Sequence, residues 1–317
     1  MPAIRQHPRM SDLHNLILLH GHAAARALVP CAERHLVDAA AAILAIEREE
    51  IGISYSGFAL TSLPHKKIAD DQVWEKVGHR LTLTVTPGRL PGPDGRTVAV
   101  GVPYGCYARL IAIYLQTQAI RTACRRVELG RSMNAFLERL GLTIGGKTYD
   151  RVWDQARRIA ACNLVFSCKQ DDGRSDFVKD NFVTEGAFHL DFIAPDPRQP
   201  RLWADEVVLG ERFYKQLIEH PFPILEQVLR VIGNNSVAID TYIWLAYRLR
   251  ALSKPTLVRW PALAGQFGSS YGRGRDFRRR FTEPLRLALA VYPDARVEMV
   301  EDGLLLHPSR PPVFERT

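Results

Sequence analysis

The sequence predicts an α+β fold in which one order of helices and strands occurs twice. The first observation is the size of the chain: its 317 residues, 46% hydrophobic and 24% charged, suffice for about two domains at ~150 residues each. The second is a long apolar helical segment at 104–122 with a counterpart at 236–252. The third is that a short strand, a second helix and a basic amphipathic helix follow each segment in the same order.

The N-terminal part of the chain is predicted to form a separate extension over residues 1–75. It contains an alanine-rich helical run at 32–49 and a β-like stretch at 51–64. The alternating residues 80–85 predict a strand. Residues 86–96, TPGRLPGPDGR, are rich in proline and glycine, so we expect a linker without regular structure there.

The two copies of the repeated pattern predict two domains, at 76–207 and 208–317. Each second helix ends in an apolar residue followed by glycine, at Gly141 and Gly268, which is typical of a left-handed C-cap. Each basic helix leads into alternating residues that predict a β-hairpin. The hairpins are predicted to pair 163–169 with 182–192 in the first copy and 295–300 with 303–309 in the second.

The third helix of each copy has an apolar face and a cationic face, as its spacing at 100° per residue predicts. The predicted packed residues are Tyr149, Val152, Trp153, Ala156 and Ala160 in the first copy and Phe277, Phe281, Pro284, Leu285 and Ala288 in the second. The opposite rows are Lys147, Arg151 and Arg158 in the first copy and Arg275, Arg279, Thr282 and Arg286 in the second.

Helix, strand, helix, helix and hairpin is the order of a winged helix-turn-helix, so the sequence predicts two such domains in tandem after an N-terminal helical extension. The third helix of this motif lies in the major groove of DNA. Arginine prevails on both helices, and its planar guanidinium binds a guanine edge or a phosphate through two hydrogen bonds. The predicted DNA-binding residues are Arg131, Lys147, Arg151, Arg158 and the wing residue Lys169 in the first domain, and Arg273, Arg275, Arg278, Arg279 and Arg286 in the second.

Pro284 lies inside the second basic helix. Proline cannot donate a hydrogen bond to the carbonyl of Arg280, so we expect either a bend between Phe281 and Leu285 or a new helix start capped by Thr282. The position of Arg286 in the groove therefore depends on how the helix continues after Pro284.

The charge of the chain predicts an anionic partner. The formal net charge is +8 and the isoelectric point is near 9.4, which favours nucleic acid or an acidic membrane surface. No stretch reaches the ~20 apolar residues needed to cross a bilayer, and the N-terminus lacks the apolar core of a secretory signal. Five scattered cysteines without a C-x-x-C pair argue against disulfides and zinc. The sequence thus predicts a cytoplasmic protein with no membrane segment, metal or cofactor.

Several longer segments carry a family resemblance. They are SGFALTSLPHKK (56–67), VGVPYG (100–105), VELGRSMNAFLERLGL (127–142), GGKTYDRVWDQARRIAAC (145–162), IDTYIWLAYRL (239–249) and LAVYPDARVEM (289–299). In this order they resemble the plasmid-encoded RepA replication initiators. The resemblance implies a protein that binds repeated sites in a plasmid origin and helps to open the duplex. It also implies the host proteins DnaA and DnaB as partners, and self-repression as a dimer.

Two alternative functions remain open from the sequence. A transcriptional repressor with two winged helices would bind DNA in the same way. A rolling-circle nuclease would need a metal motif, for which His20 and His22 are the candidates, but Gly21 between them supplies none of the apolar packing that such a motif requires. Phosphate-loop, H-E-x-x-H and G-x-S-x-G signatures are absent from the sequence, so we predict a protein that is not an enzyme.

Overall fold

The chain folds into two compact units of mixed helix and strand. The computed structural model describes residues 10–78, 80–91, 96–130, 132–170, 172, 174–186, 206–268 and 274–313. The central unit covers residues 52–223, and the terminal unit combines residues 1–51 with 224–317. Each unit contains one copy of the repeated pattern.

The N-terminal part of the terminal unit is helical. Its helices are α1 (Met10–His20), α2 (His22–Leu28) and α3 (Arg34–Leu44). One side of α3 is buried, with Leu36 1% and Val37 0% exposed. The alanine-rich run predicted as helix is thus helical because its apolar residues recur on one face.

The central unit begins in β1, and β1 and β11 contain the two points at which the units divide. Its elements up to the first copy of the pattern are β1 (Ile51–Tyr55), α4 (Ser56–Leu60), β2 (Trp74–Val77), β3 (Leu81–Thr86), β4 (Gly88–Pro91) and β5 (Thr97–Val100). The first copy is α5 (Gly105–Arg121), β6 (Arg126–Glu128), α6 (Met133–Arg139) and α7 (Gly146–Ala161). The elements that follow are β7 (Asn163–Lys169), β8 (Ser175–Asn181), β9 (Val183–Gly186), β10 (Glu206–Leu209), α8 (Glu211–Glu219) and β11 (Pro221–Leu225).

The rest of the terminal unit holds the second copy of the pattern. Its elements are α9 (Glu226–Ile232), α10 (Ser236–Arg250), β12 (Thr256–Arg259), α11 (Trp260–Phe267), α12 (Gly274–Ala290), β13 (Val297–Val300) and β14 (Gly303–Leu306). Local chemistry sets several helix starts. The side chains of Ser132 and Asn235 accept hydrogen bonds from the first turns of α6 and α10, and proline at 261 fits the first turn of α11.

Each copy of the pattern is accompanied by a small antiparallel sheet of three strands. The strand order is β6-β10-β9 in the central unit and β12-β14-β13 in the terminal unit. In both sheets the strand between the first two helices pairs with the last strand of the copy. The second predicted hairpin is therefore present as β13 and β14, joined through Glu301 and Asp302.

The first predicted hairpin is wrong in its pairing. Strand β7 pairs with β8 on one side and with β3 on the other, within a four-stranded sheet of order β2-β3-β7-β8. The buried residues Leu83 and Val85 lie opposite Phe166 and Leu164, so matching apolar faces hold β7 against β3. Strand β9 pairs with β10 instead, and residues 187–192 lie outside the described ranges.

The predicted linker at 86–96 also has more regular structure than expected. Strands β4 and β5 form an antiparallel pair in which Gly88 lies opposite Val100. The guanidinium of Arg89 donates a hydrogen bond to the carbonyl of Thr97 at 2.7 Å. Proline and glycine therefore mark the ends of a hairpin here, while residues 92–95 lie outside the described ranges.

The compact units divide the chain at 51/52 and 223/224, whereas the predicted domain boundaries are 75/76 and 207/208. The difference arises because the N-terminal helices pack within the terminal unit. Helices α1 and α3 both lie against α12. A ring nitrogen of the buried His14 lies 2.8 Å from the carbonyl oxygen of Ala290 at the end of α12.

The first helix of each copy is the most buried helix of its unit. Most side chains of α5 and α10 are enclosed, including Tyr242 at 0% exposed. Burial raises the pKa of Tyr242, and its hydroxyl accepts a hydrogen bond from the backbone N–H of Leu225 at 3.0 Å. Among the described residues, none of the helices combines the length and the apolar character needed to cross a membrane.

Helix α12 is anchored by a stack of three phenylalanine rings. Phe281 lies 4.9 Å from Phe267 and 5.1 Å from Phe277 between ring centres, and all three are at most 2% exposed. Pro284 lies inside the continuous helix, so the alternative of a new helix start capped by Thr282 is wrong. The hydroxyl of Thr282 instead donates to the carbonyl of Arg278 at 2.8 Å. Pro284 is buried in the same apolar stripe.

The two predicted glycine caps differ from one another. Gly141 has φ of 68°, a left-handed conformation that favours glycine. Gly268 has φ of −91°, so the prediction of a left-handed cap is wrong there. Glycine is favoured at position 268 by a steric constraint. A Cβ atom there would lie 2.4 Å from the carbonyl oxygen of Ala264 and would clash with it.

The phenylalanine stack predicts a large effect on stability. Phe281→Ala should lower the free energy of unfolding of the terminal unit by ~3–5 kcal/mol, because a fully buried ring is replaced by a cavity. Thermal and chemical denaturation measure this loss. The matched change Phe177→Ala removes a ring that is 68% exposed and should cost ~0.5 kcal/mol or less. Equal losses for the two variants would contradict the assignment of the α12 core.

Candidate nucleic-acid interface

The N-terminal half of α7 presents a basic surface in the central unit. Lys147 and Arg151 are exposed one turn apart, and neither pairs with an acidic side chain among the described residues. Val152 and Trp153 on the other side are buried, as the helical periodicity predicts. The space around Gly145 and Gly146 at the helix start is open, because an added Cβ atom would meet nothing within 4 Å. The first turn of α7 is thus accessible to an anion.

The C-terminal half of the same cationic row is covered. Arg158 lies two turns beyond Arg151 but is only 5% exposed. Its Nη1 atom is 2.9 Å from Asp70 Oδ1, and its Nε atom is 2.9 Å from Asp154 Oδ2. The guanidinium also lies 5.2 Å from the ring centre of Tyr104. The prediction that Arg158 lies on the exposed face is therefore wrong, because the loop that carries Asp70 closes over it.

The ion pair between Arg158 and Asp70 is strong enough to shift the titration of the carboxylate. Partial burial opposes ionisation of Asp70, but hydrogen bonds and charge from Arg158 outweigh it, with a smaller contribution from Lys67. The pKa of Asp70 is therefore lowered from its usual value. Arg158 serves to hold a loop of the central unit against α7.

The loop that covers α7 is itself fixed by a buried arginine. Arg109 in α5 is 5% exposed and donates hydrogen bonds to the carbonyls of Leu63 at 2.7 Å and Gly105 at 2.8 Å. The N–H of Gly105 donates to the carbonyl of Pro64 at 2.9 Å. Two of the segments that carry the family resemblance, at 56–67 and 100–105, thus meet at the start of α5.

Helix α12 presents the corresponding basic surface in the terminal unit. Arg278 and Arg279 are exposed near its N-terminal end, and the Arg279 side chain is 73% exposed, with Asp276 3.7 Å away. An ion pair this exposed contributes little and leaves the guanidinium accessible. Arg273 lies outside the described residues, and so does the side chain of Arg275.

Arg278 is positioned by an aromatic ring. Its guanidinium carbon lies 5.0 Å from the ring centre of Trp260, the first residue of α11. The indole N–H of Trp260 donates to the carbonyl of Glu301 at 2.9 Å, and its backbone N–H donates to the carbonyl of Asp302 at 3.0 Å. One residue therefore links α11, α12 and the turn of the β13–β14 hairpin.

Arg286 forms an ion pair with Glu33 within the terminal unit. Its Nη2 atom lies 2.8 Å from Glu33 Oε1, and the two side chains are 18% and 11% exposed. His35 on the same N-terminal segment lies 2.5 Å from Glu283 of α12. The prediction of Arg286 as a residue of the exposed cationic row is therefore wrong, because the segment before α3 covers this part of the helix.

The remaining predicted residues divide between the described and undescribed parts of the chain. Arg131 lies outside the described residues. Lys169 is exposed at the end of β7, where it pairs with Ser175 in the four-stranded sheet. Lys169 thus lies on a hairpin that follows α7, as predicted, but the partner strand of that hairpin is β8 and not residues 182–192.

His22, one of the two histidines considered for a nuclease, contacts an acidic side chain. His22 Nε2 lies 2.7 Å from Asp38 Oδ1, and Arg26 donates to the same oxygen at 3.0 Å. The hydrogen bond from His22 is the main reason why the pKa of Asp38 is lowered. Among the described residues, no group of three or more His, Cys, Asp and Glu side chains is arranged to hold a metal ion.

The sequence patterns did not predict three residues that contact arginines of the candidate interface, namely Asp70, Glu33 and Trp260. Asp70 and Glu33 lie far along the chain from the arginines that they bind, and no periodicity relates them. Trp260 follows a strand and begins a helix, so it belongs to no apolar stripe. Only the presence of acids in otherwise apolar or basic segments hints at Asp70 and Glu33.

The ion pair beneath α7 predicts a specific loss of stability. Asp70→Asn should lower the free energy of unfolding of the central unit by ~1–3 kcal/mol, because the buried Arg158 then keeps Asp154 as its one carboxylate partner. This range is below the usual cost of breaking a fully buried ion pair, because the Asp70 side chain is 42% exposed to solvent. The adjacent exposed residue gives the control, Asp71→Asn, which should change stability by ~0.5 kcal/mol or less. Urea denaturation compares them. If both variants unfold alike, Arg158 is not held by Asp70.

Comparison with solved structures identifies a shared fold. A structure of domains 2 and 3 of RctB superimposes with a TM-score of 0.50 at 10% sequence identity, covering 82% of this chain and 99% of that one. A second structure of RctB domains 2–3 gives a TM-score of 0.42 at 11% identity, covering 76% and 86%. At this identity the first match indicates similarity of fold alone. A comparison with curated proteins gives no match.

Comparison with protein families gives a match that spans the first copy of the repeated pattern and the first two elements of the second, α10 and β12. The model of the family described as plasmid-encoded RepA protein matches residues 102–259. This range begins before α5 and ends with β12, so it includes all of α7 and its buried arginine. The chain belongs to the family of plasmid-encoded RepA proteins.

Proposed function

We propose that this chain is a plasmid replication initiator that binds repeated sequences of double-stranded origin DNA through two winged helix-turn-helix domains. Helices α7 and α12 are the recognition helices. The observation that carries the proposal is the matched exposure of arginine on both: Arg151 and Arg279 face solvent, while the arginine seven residues later is covered in each helix.

The architecture of each unit supports this use of the third helices. In the terminal unit, helix, strand, helix and helix are followed by the β13–β14 hairpin, whose strand β14 pairs with β12, as expected of a winged helix. In the central unit β10 pairs with β6 in the same way, but the β7–β8 hairpin lies between α7 and β9 along the chain. The apolar side of each third helix is buried, and its N-terminal half carries the positive charge. Phosphate contacts from lysine and arginine would supply affinity, and arginines at base edges would supply sequence preference.

The mechanism uses binding energy without covalent chemistry. Binding at several origin repeats would concentrate the protein on one segment of DNA and favour opening of the duplex. Membership of the RepA family supports origin DNA as the target. The host proteins DnaA and DnaB are the partners that the family resemblance implies, and a homodimer would account for self-repression. Cofactors have no part in this mechanism.

The proposal predicts that single arginines control DNA affinity without controlling stability. Arg151→Ala and Arg279→Ala should each weaken binding to an origin repeat by ~1–3 kcal/mol and relax preference at one position, because a guanidinium that reads a base is lost. Thermal stability should change by ~0.5 kcal/mol or less. Fluorescence anisotropy on a labelled repeat and thermal melting give the two values. Arg48→Ala, at an exposed arginine that belongs to neither α7 nor α12, is the control and should bind as the unaltered protein does.

If both variants bind the repeat as tightly as the unaltered protein at ~0.15 M salt, the basic faces of α7 and α12 face solvent and do not bind DNA. Loss of affinity in only one variant would restrict recognition to that unit. A loss of affinity accompanied by unfolding would also count against the assignment, because both side chains are exposed.

Salt and chelator dependence provide an independent prediction. If about eight phosphates are neutralised, the logarithm of the binding constant should fall with the logarithm of salt concentration with a slope near −7. Chelator treatment should leave the affinity unchanged, since recognition rests on arginine and lysine. A slope shallower than about −2, or loss of binding in EDTA, would contradict the proposal. Nicking of the DNA with magnesium would instead favour the nuclease alternative through His20 and His22.

The position of the bound sites distinguishes an initiator from a repressor. Footprinting on the plasmid should protect several direct repeats beside an AT-rich segment. Protection of a single inverted repeat over a promoter, with none at the origin, would assign the protein as a transcriptional repressor.

A further inference from the structure

Several basic side chains gather at the end of the β12-β14-β13 sheet that lies opposite its hairpin turn. Thr256, Leu306 and Val297 form the last row of paired residues at this end. We call the exposed residues around this row the sheet-end basic cluster. Its members are Arg250, Lys254, Arg296 and Arg310.

Backbone hydrogen bonds hold the loops of this cluster together. The N–H of His307 donates to the carbonyl of Arg296 at 3.0 Å, and the N–H of Arg296 donates to Ser309 Oγ at 3.1 Å. The hydroxyl of Tyr292 donates to the carbonyl of Arg310 at 2.6 Å. Prolines at 255, 293 and 308 stiffen the same loops. The positive charges are therefore carried on ordered segments, which lowers the entropic cost of binding a ligand.

The charges of the cluster are largely uncompensated within the protein. Lys254, Arg296 and Arg310 form no ion pair with an acidic side chain among the described residues. The neighbouring Glu298 lies 3.4 Å from His307 Nε2, and Asp294 is a second acid close to Arg296 along the chain. Arg250 belongs to the last turn of α10, where the helix dipole explains a positive charge, but the other three residues lie outside helices.

The two ends of the sheet differ in their balance of charge. The turn between β13 and β14 consists of the exposed acids Glu301 and Asp302, next to Trp260 and the recognition arginines. The sheet-end basic cluster lies at the other end of the same strands. Because the exposed Arg259 lies in the row beside the turn, that end carries both signs of charge, whereas the four basic residues of the cluster outnumber its acidic neighbours Asp294 and Glu298.

The cluster is also separated from the exposed arginines of α12. From Arg279 to the last residue, Ala290, the helix rises about 16 Å. Helices α1 and α3 cover its C-terminal half, where Arg286 is paired with Glu33. DNA in contact with Arg279 therefore has no continuous path along α12 to the cluster, and a different stretch of phosphate backbone is needed to reach it.

We infer that the sheet-end basic cluster binds the phosphate backbone of a second stretch of DNA, apart from the base pairs read by α12. This inference rests on the proposed function. Double-stranded DNA fits better than an acidic protein, because the cluster consists of guanidinium and ammonium groups dispersed over separate segments, as suits a row of phosphates. The second stretch is either the flank of the same molecule or a separate duplex.

The experiment compares the full chain with the triple variant Lys254→Gln, Arg296→Gln, Arg310→Gln. The first probe is a duplex limited to one repeat, and the second extends it by about 15 base pairs on each side, roughly 50 Å at 3.4 Å per base pair. The third probe is a pair of separate one-repeat duplexes that carry different fluorophores, and the measurement is their coincidence, that is, how often both are bound to one protein molecule. The triple variant should bind the short duplex as the unaltered protein does. On the long duplex its salt slope should be shallower by about 3, or coincidence of the two duplexes should be lost.

A control variant removes the same number of charges elsewhere, through Arg48→Gln, Lys215→Gln and Arg230→Gln, and should behave as the unaltered protein on all three probes. If the triple variant unfolds at a lower temperature than the unaltered protein, single replacements at 254, 296 and 310 provide the test. Each should make the salt slope on the long duplex shallower by about 1. Charge-preserving Arg296→Lys and Arg310→Lys should retain the full slope.

Equal behaviour of the triple variant and the unaltered protein on the long duplex and in the coincidence assay would overturn the inference while leaving the proposed function intact. The same applies if the triple variant differs only in binding poly-glutamate, which would assign the cluster to an acidic protein. If the unaltered protein fails to bind any repeat, the proposed function itself fails.

Discussion

An ion pair between a largely buried arginine of the third helix and a carboxylate from an earlier segment organises each unit. Arg158 is held by Asp70 in the central unit, and Arg286 is held by Glu33 in the terminal unit. Both arginines follow an exposed arginine by seven residues, so they continue the same cationic row. Each arginine needs a carboxylate, because the Arg158 and Arg286 side chains are 6% and 18% exposed and an unpaired charge at such low exposure would be costly. The pair therefore fixes the covering segment to the helix and leaves only the N-terminal half of the row in solvent.

This arrangement explains why a half-buried helix carries so many arginines. One face of α12 must bury the ring of Phe281 against Phe267, which requires apolar residues at helical spacing. The opposite face serves two purposes at its two ends. Near the start, Arg278 and Arg279 remain accessible; near the end, Arg286 binds the N-terminal segment. The same division in α7 supports a common use of both helices in binding DNA.

The sequence predicted the elements that depend on local periodicity. The four elements of each repeat and the buried stripe of α12 lie where the spacing of apolar residues places them. Pairings between distant segments were not predictable in this way. Strand β7 could pair with several alternating segments, and its match to Leu83 and Val85 is decided by packing. Arg158 and Arg286 have the right helical phase, but their partners Asp70 and Glu33 lie 88 and 253 positions earlier, beyond the reach of any periodic signal.

Amide hydrogen exchange with and without an origin-repeat duplex tests the central claim most directly. Exchange should slow on binding over the N-terminal halves of α7 and α12, near Arg151 and Arg279, where the exposed cationic rows would contact DNA. The C-terminal halves around Arg158 and Arg286 should keep their exchange rates, since they are already covered within the protein. Protection confined to other segments, with unchanged exchange at the starts of both helices, would contradict the account.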